Sequence, residues 1–196
     1  LFLFPIDISA IGCDLYISNG HKWLFGPNGV GLLYVRQGFA EQMEPSQVGA
    51  GTVTYQLPVT WTAGVNRFEL TATRPAYVFA AMESALDWLE QWGMARIQAR
   101  QAELTTWVKQ RVREMPEQFS LICPDSWEES SALATIQIAG WDGATIADFC
   151  ARMLAEGRAF LRPVPEFNGL RLSMAYYNSP DEYERFFAMV RTATAM

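Results

Sequence analysis

A histidine and a lysine stand side by side in the run Ser18-Asn19-Gly20-His21-Lys22-Trp23-Leu24-Phe25-Gly26-Pro27-Asn28-Gly29-Val30-Gly31, in a chain that holds one histidine and only two lysines. A lysine set among apolar and glycine positions is expected to be buried, and burial eases loss of its proton and so makes the amine a nucleophile. Such an amine can form an imine with an aldehyde cofactor, while the neighbouring imidazole holds a phosphate or stacks on a ring. The glycines do not make a nucleotide loop. Lys22 precedes them and no Gly-Lys-Ser/Thr follows, so the run is not a P-loop. It also leads into an apolar strand pattern rather than a helix, which excludes a dinucleotide fingerprint. Glycines let the backbone fold closely, and Pro27 stiffens the turn.

The elements that must position this loop are two short strands, expected to be buried, at residues 14–18 and 31–36. From residue 37 to 74, breakers at Gly49, Gly51, Pro58 and Gly64 leave long loops with short extended pieces. A connection of that length within a compact domain is usually functional. Pro75 suits the first turn of a helix over 76–92 that ends before Gly93. A second amphipathic helix over 94–115 stops at Pro116 and is expected to bridge two lobes. The rest reads as strand 119–123, strand 133–138, helix 143–155, strand 158–163, strand 169–177 and helix 181–194, a small α+β lobe. Gly157 is placed to end one helix, and Asn178-Ser179-Pro180-Asp181 to start the last. The chain is therefore read as α/β, with residues 1–93 as one domain and 94–196 as another.

Composition narrows the chemistry. The 196 residues are 50% hydrophobic, ample for a core, and carry a formal charge of −6. No basic stripe of the kind that neutralises nucleic-acid phosphates stands out, and no apolar run reaches the roughly 18 residues that span a bilayer. Neither nucleic acid nor membrane is an expected partner. Cys13, Cys123 and Cys150 are odd in number and widely spaced, which argues against a disulfide framework or a zinc site and for a reducing cytoplasm. The opening Leu1-Phe2-Leu3-Phe4-Pro5-Ile6 starts without methionine on apolar residues and reads as the continuation of a longer chain.

The segment from Asp14-Leu15-Tyr16 through His21-Lys22-Trp23, Gly26-Pro27 and Gly29-Val30-Gly31 to Leu33-Tyr34-Val35 resembles the pyridoxal-phosphate lysine segment of class V aminotransferases, a family with cysteine desulfurases, cystine carbon-sulfur lyases and isopenicillin N epimerase-like proteins. The resemblance continues in Arg67-Phe68-Glu69 with the threonines that follow, and in Gly169-Leu170-Arg171-Leu172-Ser173 before Tyr177-Asn178-Ser179. It implies a fold type I architecture, with residues 1–93 as the end of the large cofactor-binding domain and 94–196 as a bridging helix and small C-terminal domain of a homodimer. It further implies that Lys22 carries pyridoxal 5'-phosphate covalently and later moves the substrate α-proton. His21 would contact the cofactor, as would Asn19, which stands where the family often has Ser or Thr. Of Thr71 and Thr73, the latter is preferred as the residue that reaches the phosphate of the partner subunit.

Arg171 matches the arginine that clamps the substrate α-carboxylate, and Arg162 a second arginine of the cystine lyase branch. The family's aspartate for the pyridine nitrogen and its ring-stacking residue are expected N-terminal to residue 1. Cysteine desulfurases place a cysteine just before the arginine strand, and residues 162–169 contain none. The implied reaction is β-elimination at a carbon-sulfur bond of a small amino-acid substrate, with epimerisation, transamination, cysteine desulfuration (disfavoured by the missing loop cysteine) and a non-catalytic scaffold or inactive fragment as alternatives. Ala50 follows Val48-Gly49 where the lyase branch has a bulky aromatic. Trp88, Trp92 and Trp107 lie on helix faces and read as packing residues.

Overall fold

The structure, a computed structural model, describes residues 6–69 and 75–194. The chain divides into two compact units, residues 1–93 and 94–196.

In the first unit a one-turn helix, α1 (Ile8–Ile11), begins where the Asp7 carboxylate accepts from the Ser9 and Ala10 amides at 2.9 and 3.1 Å, and ends at Gly12 with φ 67°. Sequence periodicity does not reveal so short a helix, although its Asp and Gly caps are ordinary signals. Strands β1 (Leu15–Asn19) and β2 (Gly31–Val35) form an antiparallel hairpin in which Leu15 faces Val35 and Asn19 faces Gly31. An Arg36–Asp14 ion pair at 2.6 Å closes its open end. The strands were expected to be buried, and they are largely exposed. A two-stranded ribbon has no neighbouring strand and buries only what another layer covers.

The covering layer is α2 (Ala76–Trp92), and it meets the hairpin at the loop. Pro75 caps this helix rather than entering its first turn, and Gly93, at φ 78°, ends it with its amide on the Leu89 carbonyl. Between the hairpin and α2 the described residues make two short 3₁₀ turns, Ala40–Gln42 and Gly64–Phe68, and isolated bridges from Val53 to Ala50 and Trp61. Here the buried Thr52 hydroxyl donates to the Gly49 carbonyl at 2.8 Å, and the buried Arg67 donates from Nε to the Thr62 carbonyl at 2.9 Å.

The second unit is a four-stranded antiparallel sheet with three helices. The strands β3 (Phe119–Leu121), β4 (Leu133–Ile138), β5 (Arg162–Val164) and β6 (Gly169–Ser173) lie in the order β3-β4-β6-β5, so β5 is an edge. The helices are α3 (Met94–Arg113), α4 (Gly143–Ala155) and α5 (Pro180–Thr194). Ala134, Ile136 and Ile138 of β4 and Leu170 and Leu172 of β6 bury one face of the sheet by simple alternation. Facing them are Leu104, Val108 and Val112 of α3, Ile146, Phe149 and Met153 of α4, and Phe186, Phe187 and Val190 of α5.

Three strand expectations change, the first being that β3 ends at Leu121 rather than at residue 123. The chain from Gly157 to Leu161 joins no strand, the amides of Gly157, Arg158 and Ala159 turning back to carbonyls at the end of α4, and β5 forms only once Arg162, Pro163 and Val164 find β6. β6 stops at Ser173, because beyond it the Ala175 amide turns to the Asn178 side-chain oxygen at 3.1 Å.

Candidate active site

The hairpin loop owes its shape to Gly20, Leu24, Gly26 and Val30. Gly20 donates its amide to the Val30 carbonyl and Gly26 to the Gly20 carbonyl, both at 2.9 Å. Leu24, 2% exposed, and Val30 turn inward, and the Met82 sulfur of α2 fills the space against the two glycines. A Cβ at Gly26 would lie 2.2 Å from that sulfur and 2.9 Å from the Gly20 carbonyl oxygen, so only glycine fits without a shift. Phe25 takes the left-handed conformation, φ 58°, with its amide on the Lys22 carbonyl at 3.1 Å, and its ring lies 6.0 Å from that of Trp88 on α2.

With those residues turned in, Asn19, His21 and Lys22 turn out. All three are exposed, which corrects the expectation of a buried lysine. The apolar neighbours of Lys22 in sequence are the loop's anchors rather than its surroundings. Among the described residues the Lys22 amine makes no hydrogen bond or ion pair, and the same holds for the His21 ring. Thr73, and Thr71 with it, lies outside the described residues. An unpaired amine, an imidazole and a side-chain amide on one exposed loop match an aldehyde that also carries a phosphate: the amine can bond the carbonyl carbon, and the other two can donate hydrogen bonds to phosphate oxygens.

The two arginines are register partners, Arg162 of β5 directly opposite Arg171 of β6. Arg171 alternates with the buried Leu170 and Leu172, so both guanidinium groups leave the face opposite the core. Like charges directly opposite on a sheet destabilise it by a few tenths of a kcal/mol or more. Among the described residues neither arginine has a carboxylate partner that would relieve this.

Beyond β6 the turn into α5 is tightly held. The Tyr183 hydroxyl donates to the Ser173 carbonyl at 2.7 Å, and Glu182 accepts from the Ser179 amide at 2.7 Å and the Asn178 side-chain amide at 3.1 Å. Those donors hold the Glu182 carboxyl below the usual carboxylate range, and burial raises the Tyr183 phenol. The sequence marked the turn through Asn178-Ser179-Pro180-Asp181, but nothing in it marked Tyr183 as the clasp on the arginine strand. Cys150 is buried on α4 and its thiol is pushed up to about 11 by desolvation, which makes it a packing group rather than a nucleophile.

The Aminotransferase class-V family model matches residues 3–186. The chain belongs to this family. Isopenicillin N epimerase of Streptomyces clavuligerus is 31% identical over 190 residues, covering 92% of this chain and 47% of that protein. A cysteine desulfurase of Cronobacter sakazakii is 27% identical over 190 residues, 93% of this chain and 46% of its own length. The chain thus spans about half the length of the curated relatives it matches. Among solved structures, the cystine C-S lyase C-DES in complex with cysteine persulfide superposes with a TM-score of 0.83 at 23% identity, over 96% of this chain and 49% of that one. The apo cysteine desulfurase of Thermococcus onnurineus NA1 gives 0.83 at 22%, over 100% and 50%. The α/β fold is therefore shared with these enzymes. Membership of this family supports pyridoxal 5'-phosphate as the cofactor, and one solved form of C-DES has glycine covalently linked to it.

Proposed function

We propose that the chain forms the lysine-bearing part of a pyridoxal-phosphate enzyme acting on an α-amino acid, most specifically a carbon-sulfur β-lyase. The observation that carries this reading is the unpaired Lys22 amine beside His21 on a loop packed from behind by Leu24, Val30 and Met82. In this reading Lys22 holds the cofactor, His21 and Asn19 donate to it, and Thr73 reaches the phosphate of the partner subunit in a homodimer. The first unit is the end of the large cofactor-binding domain, the second the small C-terminal domain. When bound, the cofactor supplies an electron sink for charge developing at the substrate α-carbon.

Every other part is a task for the chain's own groups. Arg171, assisted by Arg162, binds the α-carboxylate, for which paired guanidinium donors suit the planar anion. Lys22 takes the α-proton onto Nζ, and in elimination the Cβ–S bond then breaks with its electron pair leaving on sulfur. The branch rests on the cross-strand arginine pair and on the absence of a cysteine from residues 162–169. A soluble cytoplasmic enzyme fits the three unpaired cysteines, and among the described residues no helix is long and apolar enough to cross a membrane.

A second reading, epimerisation, draws support from the 31% identity to isopenicillin N epimerase. In it the same lysine moves the α-proton and no bond to sulfur breaks. Absorption spectra with pyridoxal phosphate before and after borohydride, for wild type and Lys22→Ala, test the core reading. Cofactor fixed covalently to wild type alone supports it, and equal behaviour of the two proteins defeats it. Product analysis then separates the branches, pyruvate with a released sulfur species meaning elimination and racemised substrate meaning epimerisation.

A further inference from the structure

β6 carries Arg171 close to its end, and the two sides of that end are held differently. Toward β4 the pairing runs on past Ser173, since the Met174 amide reaches the Ala132 carbonyl at 2.8 Å. Backbone groups of successive strand residues point to alternate sides, so those of Arg171 and Ser173 turn the other way, toward β5. β5 begins at Arg162, the partner of Arg171, and the chain just before it joins no strand. The Ser173 carbonyl therefore lies past the reach of the edge strand.

A side chain of α5 takes the vacant place. The Tyr183 hydroxyl donates to the Ser173 carbonyl at 2.7 Å, the length of a good bond from a hydroxyl. Tyr183 is buried, which raises its phenol, so the hydroxyl keeps the proton that it donates. Behind it stands Asn178, whose Oδ1 lies 3.3 Å from the same hydroxyl and accepts from the Ala175 amide at 3.1 Å. The Asn178 Nδ2 donates to Glu182 at 3.1 Å, its amide to the Ala175 carbonyl at 2.9 Å, and its own carbonyl accepts from Arg100 of α3 at 3.2 Å. Every polar group of Asn178 is thus engaged in holding the turn that carries Tyr183 to β6.

We infer that Tyr183 is a positioning residue for substrate binding: its hydroxyl stands in for the strand that β5 does not supply, and so fixes the direction in which Arg171, two residues back, leaves the sheet. This deepens the functional reading above, since it rests on Arg171 as the anchor of the α-carboxylate. Arg171 needs the support because the residue opposite it is Arg162, a like charge that pushes the end of β6 and the edge strand apart. A carboxylate is gripped by paired guanidinium donors, and the pairing is lost when the arginine swings. Without the hydroxyl, Arg171 is held on that side only by a strand whose nearest residue repels it.

The test needs no cofactor. Tyr183→Phe keeps the buried ring and removes the hydroxyl alone. Wild type and variant are titrated with propionate at low salt, and binding is read by NMR from the backbone amides of β5 and β6. Tyr183→Phe is expected to weaken propionate about threefold, the effect of misaligning one paired contact, and to lower the heteronuclear NOE of the Arg171 Nε–Hε group. Asp142→Ala, which removes the cap of α4, lowers the urea midpoint by a similar amount and leaves both readings unchanged. Arg171→Gln removes most of the binding, and adding Tyr183→Phe to it weakens binding no further, because the hydroxyl acts through Arg171. Unchanged affinity and NOE in Tyr183→Phe, an equal loss in Asp142→Ala, or a further loss in the double variant overturns the positioning role and leaves the anchor standing. No binding by wild type, or binding indifferent to Arg171→Gln, overturns the anchor and the positioning role together. Neither result touches the Lys22 spectra, so failure here and failure of the lysine reading are told apart.

Discussion

The chain's two lysines fall one in each unit and have opposite fates. Lys22 follows Gly20-His21 and precedes an apolar run, yet its side chain is exposed and, among the described residues, unpaired. Lys109 sits among the ordinary charges of an amphipathic helix, and is 1% exposed. Its ammonium donates to the Pro124 carbonyl at 2.6 Å, the Ser130 hydroxyl at 2.8 Å and the Asp125 carbonyl at 3.2 Å. All three donor sites are thus used in holding the 124–130 loop. A buried cation is tolerated when its hydrogen bonds are complete, and such a residue is structural. A cation left without partners on a well-packed loop is available for chemistry. Burial alone is therefore a poor guide to which lysine reacts, and the state of its donors is a better one.

The largest break in this contrast comes from Lys22→Ala. Loss of the nucleophile is expected to lower turnover by about a thousandfold or more and to abolish borohydride-fixed cofactor. The unfolding free energy from urea denaturation should change by no more than about 0.5 kcal/mol, as for most exposed sites. A large stability loss would mean that the side chain is structural after all.

Lys109→Met should do the reverse. It keeps the apolar stem but leaves two carbonyls and a hydroxyl without their donor, at a cost of about 2–3 kcal/mol. Urea denaturation reads this directly, and the borohydride spectrum of the folded variant should match wild type. Unchanged stability would dissolve the comparison between the lysines.

Gly26→Ala sharpens the claim that the loop is held from behind. Its Cβ would meet the Gly20 carbonyl oxygen at 2.9 Å, and backbone cannot yield as the Met82 side chain can. Overpacking of about 1–2 kcal/mol is expected, with weaker cofactor fixation although Lys22 itself is untouched. Normal fixation in this variant would show that the loop tolerates displacement.

The smallest effect concerns the start of α4, where the Asp142 carboxylate accepts from the Thr145 amide at 2.8 Å and its hydroxyl at 2.7 Å. These donors lower its pKa below the ordinary carboxylate value. Because the folded pKa is depressed, the contribution is whole above the unfolded value and is lost as pH falls through the folded one. Asp142→Asn should flatten that acid limb slightly in an unfolding series below pH about 5 and leave neutral stability nearly unchanged. A steeper acid limb would contradict the cap.

Legibility in the sequence followed range. The limits of α2 at Ala76 and Trp92, and of α4 at Gly143 and Ala155, coincide with the reading from Pro75, Gly93 and apolar spacing, because caps and periodicity are local. β5 was displaced because nothing within residues 158–164 says which of them will meet β6. The two strands of the hairpin were placed to within one residue along the chain and misjudged in burial, since a strand pattern does not reveal what lies over it. Arg162 and Arg171 were found by resemblance, whereas their cross-strand pairing carries no local mark and only the register of β5 on β6 reveals it.

By itself the sequence determined the limits of α2 and α4, and it carried the lysine segment that resembles the class V aminotransferases. Those features depend on a few adjacent residues and their backbone preferences. The tertiary structure alone decided which lysine is buried and that Arg162 faces Arg171. Burial, register and the meeting of charges depend on contacts between residues far apart in the chain, and only the packed fold specifies them.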